Sequence, residues 1–156
     1  MLHQESRTVR PVPHNAMQAR DRVRSLIESS GMLPPDPVAA DDALTDALLV
    51  TSELVTNAIR HGGGLLDFHA SVAADGLRLV VTDASSAAPA ALPRATGPIR
   101  AGGFGWPLIR RLAQSVTIRP TPQGGKSIEV LMPLDGAARP ADSARLTDLR
   151  ELADQH

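Results

Sequence analysis

Ser52-Glu53-Leu54-Val55-Thr56-Asn57-Ala58-Ile59-Arg60-His61 is the stretch on which the reading of the fold turns. Its polar residues continue a pattern begun upstream. Asp46, Ser52, Glu53, Thr56, Asn57 and Arg60 recur at helical intervals, while Leu44, Leu48, Val55 and Ile59 fill the rest of the circumference. The period predicts a helix over residues 41–61, closed by Gly62-Gly63-Gly64. Glu53 and Asn57 then project side by side, one turn apart. Two readings stand at this point. The plain one is the solvated stripe of a largely buried amphipathic helix. The sharper one is a site: a carboxylate and a carboxamide one turn apart can coordinate a hard cation and orient a hydroxyl or water. An ordinary solvated stripe would favour Lys, Arg and Glu over Ser-Glu-Thr-Asn.

Working outward from this helix, Asn15 caps an earlier one in which Met17, the stem of Arg20, Val23, Leu26 and Ile27 share a face, ending near Gly31. Pro34-Pro35-Asp36-Pro37 separates the two helices. Downstream, residues 65–73 and 76–82 alternate as two strands across the turn Ala74-Asp75-Gly76. Residues 84–103, rich in Ala, Pro, Ser and Gly, have no sustained period and read as a long loop of the lid or binding-segment kind. A short helix follows over 106–114, with Pro107 tolerated in its first turn. Residues 116–119 and 127–133 make a second strand pair. The order is αα-ββ-loop-α-ββ. Residues 1–14 are a flexible lead, 15–134 the domain, and 135–156 a polar tail with at most one weak helix over 143–152.

Composition narrows the function classes. The 156 residues suit one domain with a real core. The formal net charge of −1 and the scarcity of aromatics (Phe68, Phe104 and Trp106) disfavour nucleic acid and anionic membranes as partners. No cysteine is present, and His3, His14, His61, His69 and His156 never fall at metal-ligand spacing, so any metal would take carboxylate or amide ligands. The sequence has no apolar run long enough for a membrane span and no signal-peptide pattern, so a cytoplasmic protein is expected.

Other residues offer chemistry with a plain alternative beside each. Asp83, at the end of an apolar strand, is either a turn residue or a carboxylate accepting a hydrogen bond from a purine amine. Gly102-Gly103-Phe104-Gly105 is either a hinge or a phosphate cradle whose N–H groups act with the following helix N-terminus. It is not a dinucleotide fingerprint, because no strand immediately precedes it and Leu108 stands where the third glycine belongs. Gly125-Lys126-Ser127 looks like the end of a P-loop, but Pro120 occupies the first glycine position and the segment lies in a hairpin. His61, at a helix end, reads as a capping or packing residue rather than a phosphoacceptor.

Three segments in order are similar to the N, G1 and G2 boxes of the GHKL ATP-binding superfamily. They are Ser52 to His61 as quoted, then Val81-Thr82-Asp83-Ala84-Ser85, then Gly103-Phe104-Gly105-Trp106-Pro107-Leu108-Ile109. The branch most resembled is that of the small anti-sigma-factor serine kinases and related histidine-kinase-like ATPase domains. The resemblance covers residues 15–133. It implies a Bergerat-type α/β (α+β) two-layer sandwich: a mixed, mainly antiparallel sheet covered on one face by helices, with ATP between the helices under a mobile lid. It also implies Asn57 as the Mg²⁺ ligand, Glu53 as general base and Asp83 at the adenine amine. Ser127 would take the adenine-side hydroxyl position, and the amides around Gly103, Phe104 and Gly105 would hold phosphates. Phe104 stands where relatives often have arginine, and Trp106-Pro107 where leucine usually follows; Arg94, Arg100 and Arg110 are the candidates to replace the missing guanidinium.

The resemblance implies a serine/threonine protein kinase that acts on an anti-anti-sigma partner and also binds a sigma factor. The alternative is a non-catalytic, ATP-binding anti-sigma or regulatory module. A detached sensor-kinase fragment ranks below both, because no helix with a phosphoacceptor histidine precedes the domain. A homodimer is the default expectation from frequency alone.

Overall fold

The computed structural model of the chain describes residues 11–87 and 105–135. The elements are α1 (Ala16–Ser30), α2 (Pro37–Arg60), β1 (Leu65–Ala73), β2 (Gly76–Asp83), α3 (Gly105–Leu112), β3 (Ser115–Pro120) and β4 (Lys126–Met132). The expected lead and tail fall almost wholly outside the described residues, as does most of the expected loop.

Helix starts follow side-chain chemistry. Gln18 N–H donates to Asn15 Oδ1 at 2.9 Å, and Gln18 Oε1 accepts from His14 N–H at 2.9 Å, a reciprocal cap that anchors α1. α2 begins at Pro37, earlier than the periodicity places it. The reason is local: Asp36 accepts from Ala39 N–H at 2.8 Å, and Pro37 stands in the first turn, where its missing N–H removes no intrahelical bond. The prolines that read as a break are therefore the start signal. α3 begins at Gly105 and ends at Leu112, because Gln114 N–H already bonds Leu131 C=O at 2.8 Å beside the β3–β4 pair.

The strand order is β1-β2-β4-β3, and all three pairings are antiparallel. The sheet expected to be mixed has no parallel neighbours among the described residues. β3 does run parallel to β2, but β4 lies between them: the chain leaves β2, crosses by α3 to the far edge, and the β3–β4 hairpin then fills the gap. The result is a two-layer α+β fold.

Alternation decides which side of the sheet the helices cover. Leu77, Leu79 and Val81 of β2 and Ile128, Val130 and Met132 of β4 face inward. There they meet Val23 and Ile27 of α1, Ala47, Val50, Leu54 and Ala58 of α2, and Ile109 and Leu112 of α3. Each such large apolar side chain stabilises the fold by about 1.5–3 kcal/mol when fully buried. The residues between point to solvent, where Arg78 pairs with Glu129 and, at 3.2 Å, with Asp75. Exposed ion pairs of this kind add little. Among the described residues no helix is long and apolar enough to cross a membrane.

Leu79, with no exposed surface at the centre of the inner layer, tests this arrangement. Leu79→Ala should cost about 2–5 kcal/mol in urea unfolding, whereas Thr117→Ala on the exposed edge strand should stay within about 0.5 kcal/mol of the parent.

Candidate functional site

α2 has to serve two layers at once. Val50, Leu54 and Ala58 are buried against the sheet, and the adjoining face carries Glu53 and Asn57, both partly buried. Hydroxyls on the same helix are absorbed by its own backbone: Thr51 Oγ1 donates to Ala47 C=O at 2.7 Å and Ser52 Oγ to Leu48 C=O at 3.0 Å. Within the same polar stripe, the Glu53 and Asn57 side chains reach another element.

That element is the start of α3. A Cβ placed on Gly105 would run into the Glu53 carboxylate and come to 3.5 Å from the Asn57 amide nitrogen. With no Cβ at Gly105, the start of the α3 backbone lies directly against both side chains. The structure therefore brings Gly105 to Glu53 and Asn57, from which it is far apart in sequence. Gly103 and Phe104 lie outside the described residues.

The second cluster lies just past the C-terminal end of α2. Gly62 N–H bonds Asn57 C=O at 3.0 Å and Ala58 C=O at 3.1 Å, turning the chain just beyond the helix. A Cβ on Gly62 would sit 2.6 Å from Asp83 Cγ, so the carboxylate of β2 packs directly on this turn. Ala84 N–H donates to Gly62 C=O at 2.9 Å and locks the two segments together. The two clusters adjoin along the C-terminal end of α2, since the Gly62 turn that meets Asp83 is bonded to the Asn57 carbonyl.

Asp83 is not alone there. Lys126 Nζ lies 3.0 Å from its Oδ1 and 2.9 Å from its Oδ2, and Ser85 N–H donates to Oδ1 at 2.9 Å. Lys126 stands directly opposite Asp83 in the β2–β4 register, on the inner face. Ser127, the residue expected beside the base, is the next along β4 and pairs in register with Thr82, so its side chain points to the outer face. The structure thus puts Lys126 where Ser127 was expected, a correction that follows from strand alternation. Sequence reasoning passed over Lys126 as the remnant of a P-loop. Its signal was available in part, since it is the chain's single lysine, but the register that sets it against Asp83 is not written in the local sequence.

The donor set suits a magnesium nucleotide. Mg²⁺ is a hard cation that takes oxygen ligands and shares them with phosphates, and the Asn57 carboxamide offers one such oxygen. The absence of a Cβ at Gly105 leaves backbone beside those ligands, and α3 presents its N-terminus there.

Burial raises the Glu53 carboxyl above its ordinary value of 4.5, with Arg60 opposing the shift by charge. A carboxyl raised in this way holds its proton more tightly in the folded state. Its contribution to stability is present at low pH and is lost as pH rises from the ordinary value through the raised one. Glu53→Gln should therefore be at least as stable as the parent near neutral pH, with the advantage shrinking toward about pH 4, as thermal melts across pH would show. Arg60→Ala should move the Glu53 titration, followed by carboxyl NMR, further upward; a downward move would contradict the assigned causes.

The model of the family described as histidine kinase-like ATPase domain matches residues 7–130. Among solved structures, the histidine kinase domain from the Erythrobacter litoralis EL346 blue-light activated histidine kinase is 19% identical. It covers 76% of this chain and 60% of that chain, with a TM-score of 0.45. The Erythrobacter litoralis EL346 blue-light activated histidine kinase is 20% identical, covering 78% of this chain and 47% of that one, with a TM-score of 0.42. The chain spans less than two-thirds of the length of either. A search of curated proteins finds no match. With the three boxes in order and a family match over most of its length, this chain belongs to the histidine kinase-like ATPase domain family.

Proposed function

We propose that the protein binds Mg-ATP and acts as an anti-sigma factor of the serine kinase type, transferring the γ-phosphoryl group to a hydroxyl of an anti-anti-sigma partner. The observation that carries this reading is the convergence of Glu53, Asn57 and the Gly105 backbone. A binding module without catalysis has no need of a half-buried carboxylate at that point, and its presence favours catalysis.

In this reading Asn57 would hold the metal, which would supply positive charge to offset that of the phosphates. The N–H groups around Gly103, Phe104 and Gly105 hold the phosphates, and Asp83 receives the purine amine. Glu53 accepts the proton that leaves the attacking hydroxyl as its oxygen bonds to the γ-phosphorus, while the bond from that phosphorus to the β,γ-bridging oxygen breaks and ADP leaves. Its raised affinity for a proton suits that role, since a base whose pKa moves toward the working pH is a better acceptor. Phosphoryl transfer asks the protein mainly for positioning and charge stabilisation, and these residues supply both. The membership in an ATPase-domain family supports nucleotide binding; the serine-kinase branch and the sigma-factor partner rest on the resemblance of the three boxes.

Calorimetry with Mg-ATP, Mg-ADP and metal-free ATP should show binding that depends on Mg²⁺ and is lost in Asn57→Asp. Incubated with a candidate anti-anti-sigma protein, the parent should yield a phosphoprotein detectable by mass. Glu53→Ala should slow its formation by about 10²–10⁴-fold while keeping nucleotide affinity. Nucleotide binding without any phosphoprotein would favour the non-catalytic module.

A further inference from the structure

Asp83 and Lys126 form an enclosed ion pair whose side chains are only 4% and 8% exposed. The ammonium sits astride the carboxylate, with Lys126 Nζ 3.0 Å from Asp83 Oδ1 and 2.9 Å from Oδ2. It also donates to the Ser85 carbonyl at 3.3 Å, while Ser85 N–H donates to Asp83 Oδ1 at 2.9 Å. A carboxylate has about four acceptor positions, and these contacts fill all but one of them, on Oδ2. A Cβ on Gly62 would come 2.6 Å from that same oxygen, so the turn after α2 closes on it. A staple between β2 and β4 would explain the ion pair, but the two strands are already paired from Leu77 and Met132 to Asp83 and Lys126. An ion pair this buried contributes little net stability over apolar residues of the same shape.

Resting on the nucleotide-binding reading above, we infer that Lys126 is an internal occupant of the base site: its ammonium holds the acceptors that Asp83 would offer to a purine amine, and the base has to displace it. The flexible four-carbon stem of lysine lets Nζ swing off the carboxylate without a shift of β4. The competition is uneven. A purine amine is a neutral donor, and hydrogen bonds from a charged donor are roughly twice as strong. Lys126 therefore weakens the binding of 6-aminopurine nucleotides in particular. A 6-oxopurine presents an acceptor at that position and gains nothing from a freed carboxylate. Lys126 thus sets how far the site prefers one base over the other, and leaves phosphate binding near Gly105 untouched.

The test is calorimetry of the full chain with Mg-ATP and Mg-ITP, repeated with Lys126→Met, which keeps the stem and removes the charge. The variant should bind Mg-ATP at least about tenfold more tightly than the parent, the effect of one buried hydrogen bond gained, with Mg-ITP changed by less than about threefold. Equal or weaker ATP binding by the folded variant overturns the inference, and so does an equal gain for ITP, while the nucleotide reading survives both. Should the variant fail to fold, as judged by circular dichroism, the parent decides. Lys126 is the chain's single lysine, so lysine labelled with ¹⁵N at Nζ gives one side-chain ammonium resonance. Excess Mg-ATP should expose the ammonium and remove that resonance by exchange with water; a resonance that persists overturns the inference. If neither parent nor variant binds either nucleotide at millimolar concentration, the nucleotide reading falls, and this inference with it.

Discussion

The constraint on which this molecule depends is that one helix, α2, is both the principal covering of the sheet and the wall of the site. Val50, Leu54 and Ala58 have almost no exposed surface, and the neighbouring positions Glu53 and Asn57 are only partly covered. A helix offers just over a third of its circumference to each layer, so a shift of one residue in its packing would exchange core for site. Rigidity of the Glu53–Asn57 pair is thus a by-product of core packing. Leu54 cannot leave the sheet without moving the carboxylate beside it.

A second constraint is proximity of backbone to side chain. Gly105 against Glu53 and Asn57, and Gly62 against Asp83, are contacts in which a single added carbon has no room. Both glycines lie at the ends of α helices, where the chain reverses or begins, and both bring backbone groups within reach of a functional carboxylate. Local flexibility is a secondary matter at these positions; what counts is the missing atom.

Much of this was legible in the chain itself. The helices and strands show in the period of their apolar residues, because each has one buried face. Glu53 and Asn57 were legible because helical spacing puts them together regardless of tertiary structure. The start of α2 was misplaced because the proline cluster suggests a break until Asp36 is recognised as its cap. The exchange of Ser127 for Lys126 was illegible for a deeper reason. Which of two adjacent strand residues faces inward depends on register with a partner strand far away in sequence, and a slip of one residue reverses the answer. The meeting of Gly105 with Glu53 is likewise tertiary, although the resemblance of the three boxes placed both in one site.

The buried ion pair bears on how the two ends of the site differ. Removing a carboxylate and an ammonium from water costs several kcal/mol per ion, and their attraction offsets that only with good geometry and further hydrogen bonds. Here Ser85 supplies both a donor and an acceptor to the pair. The segment just after β2 is thereby tied both to the carboxylate that would read a base and to the ammonium that covers it. Two turns before the end of α2, Glu53 feels the opposite balance: it is raised by burial, with Arg60 opposing the shift. One carboxylate is held against a buried cation and the other is left readier to take a proton, so surroundings alone set two carboxylates of the same chemistry apart, as the roles proposed for Asp83 and Glu53 require.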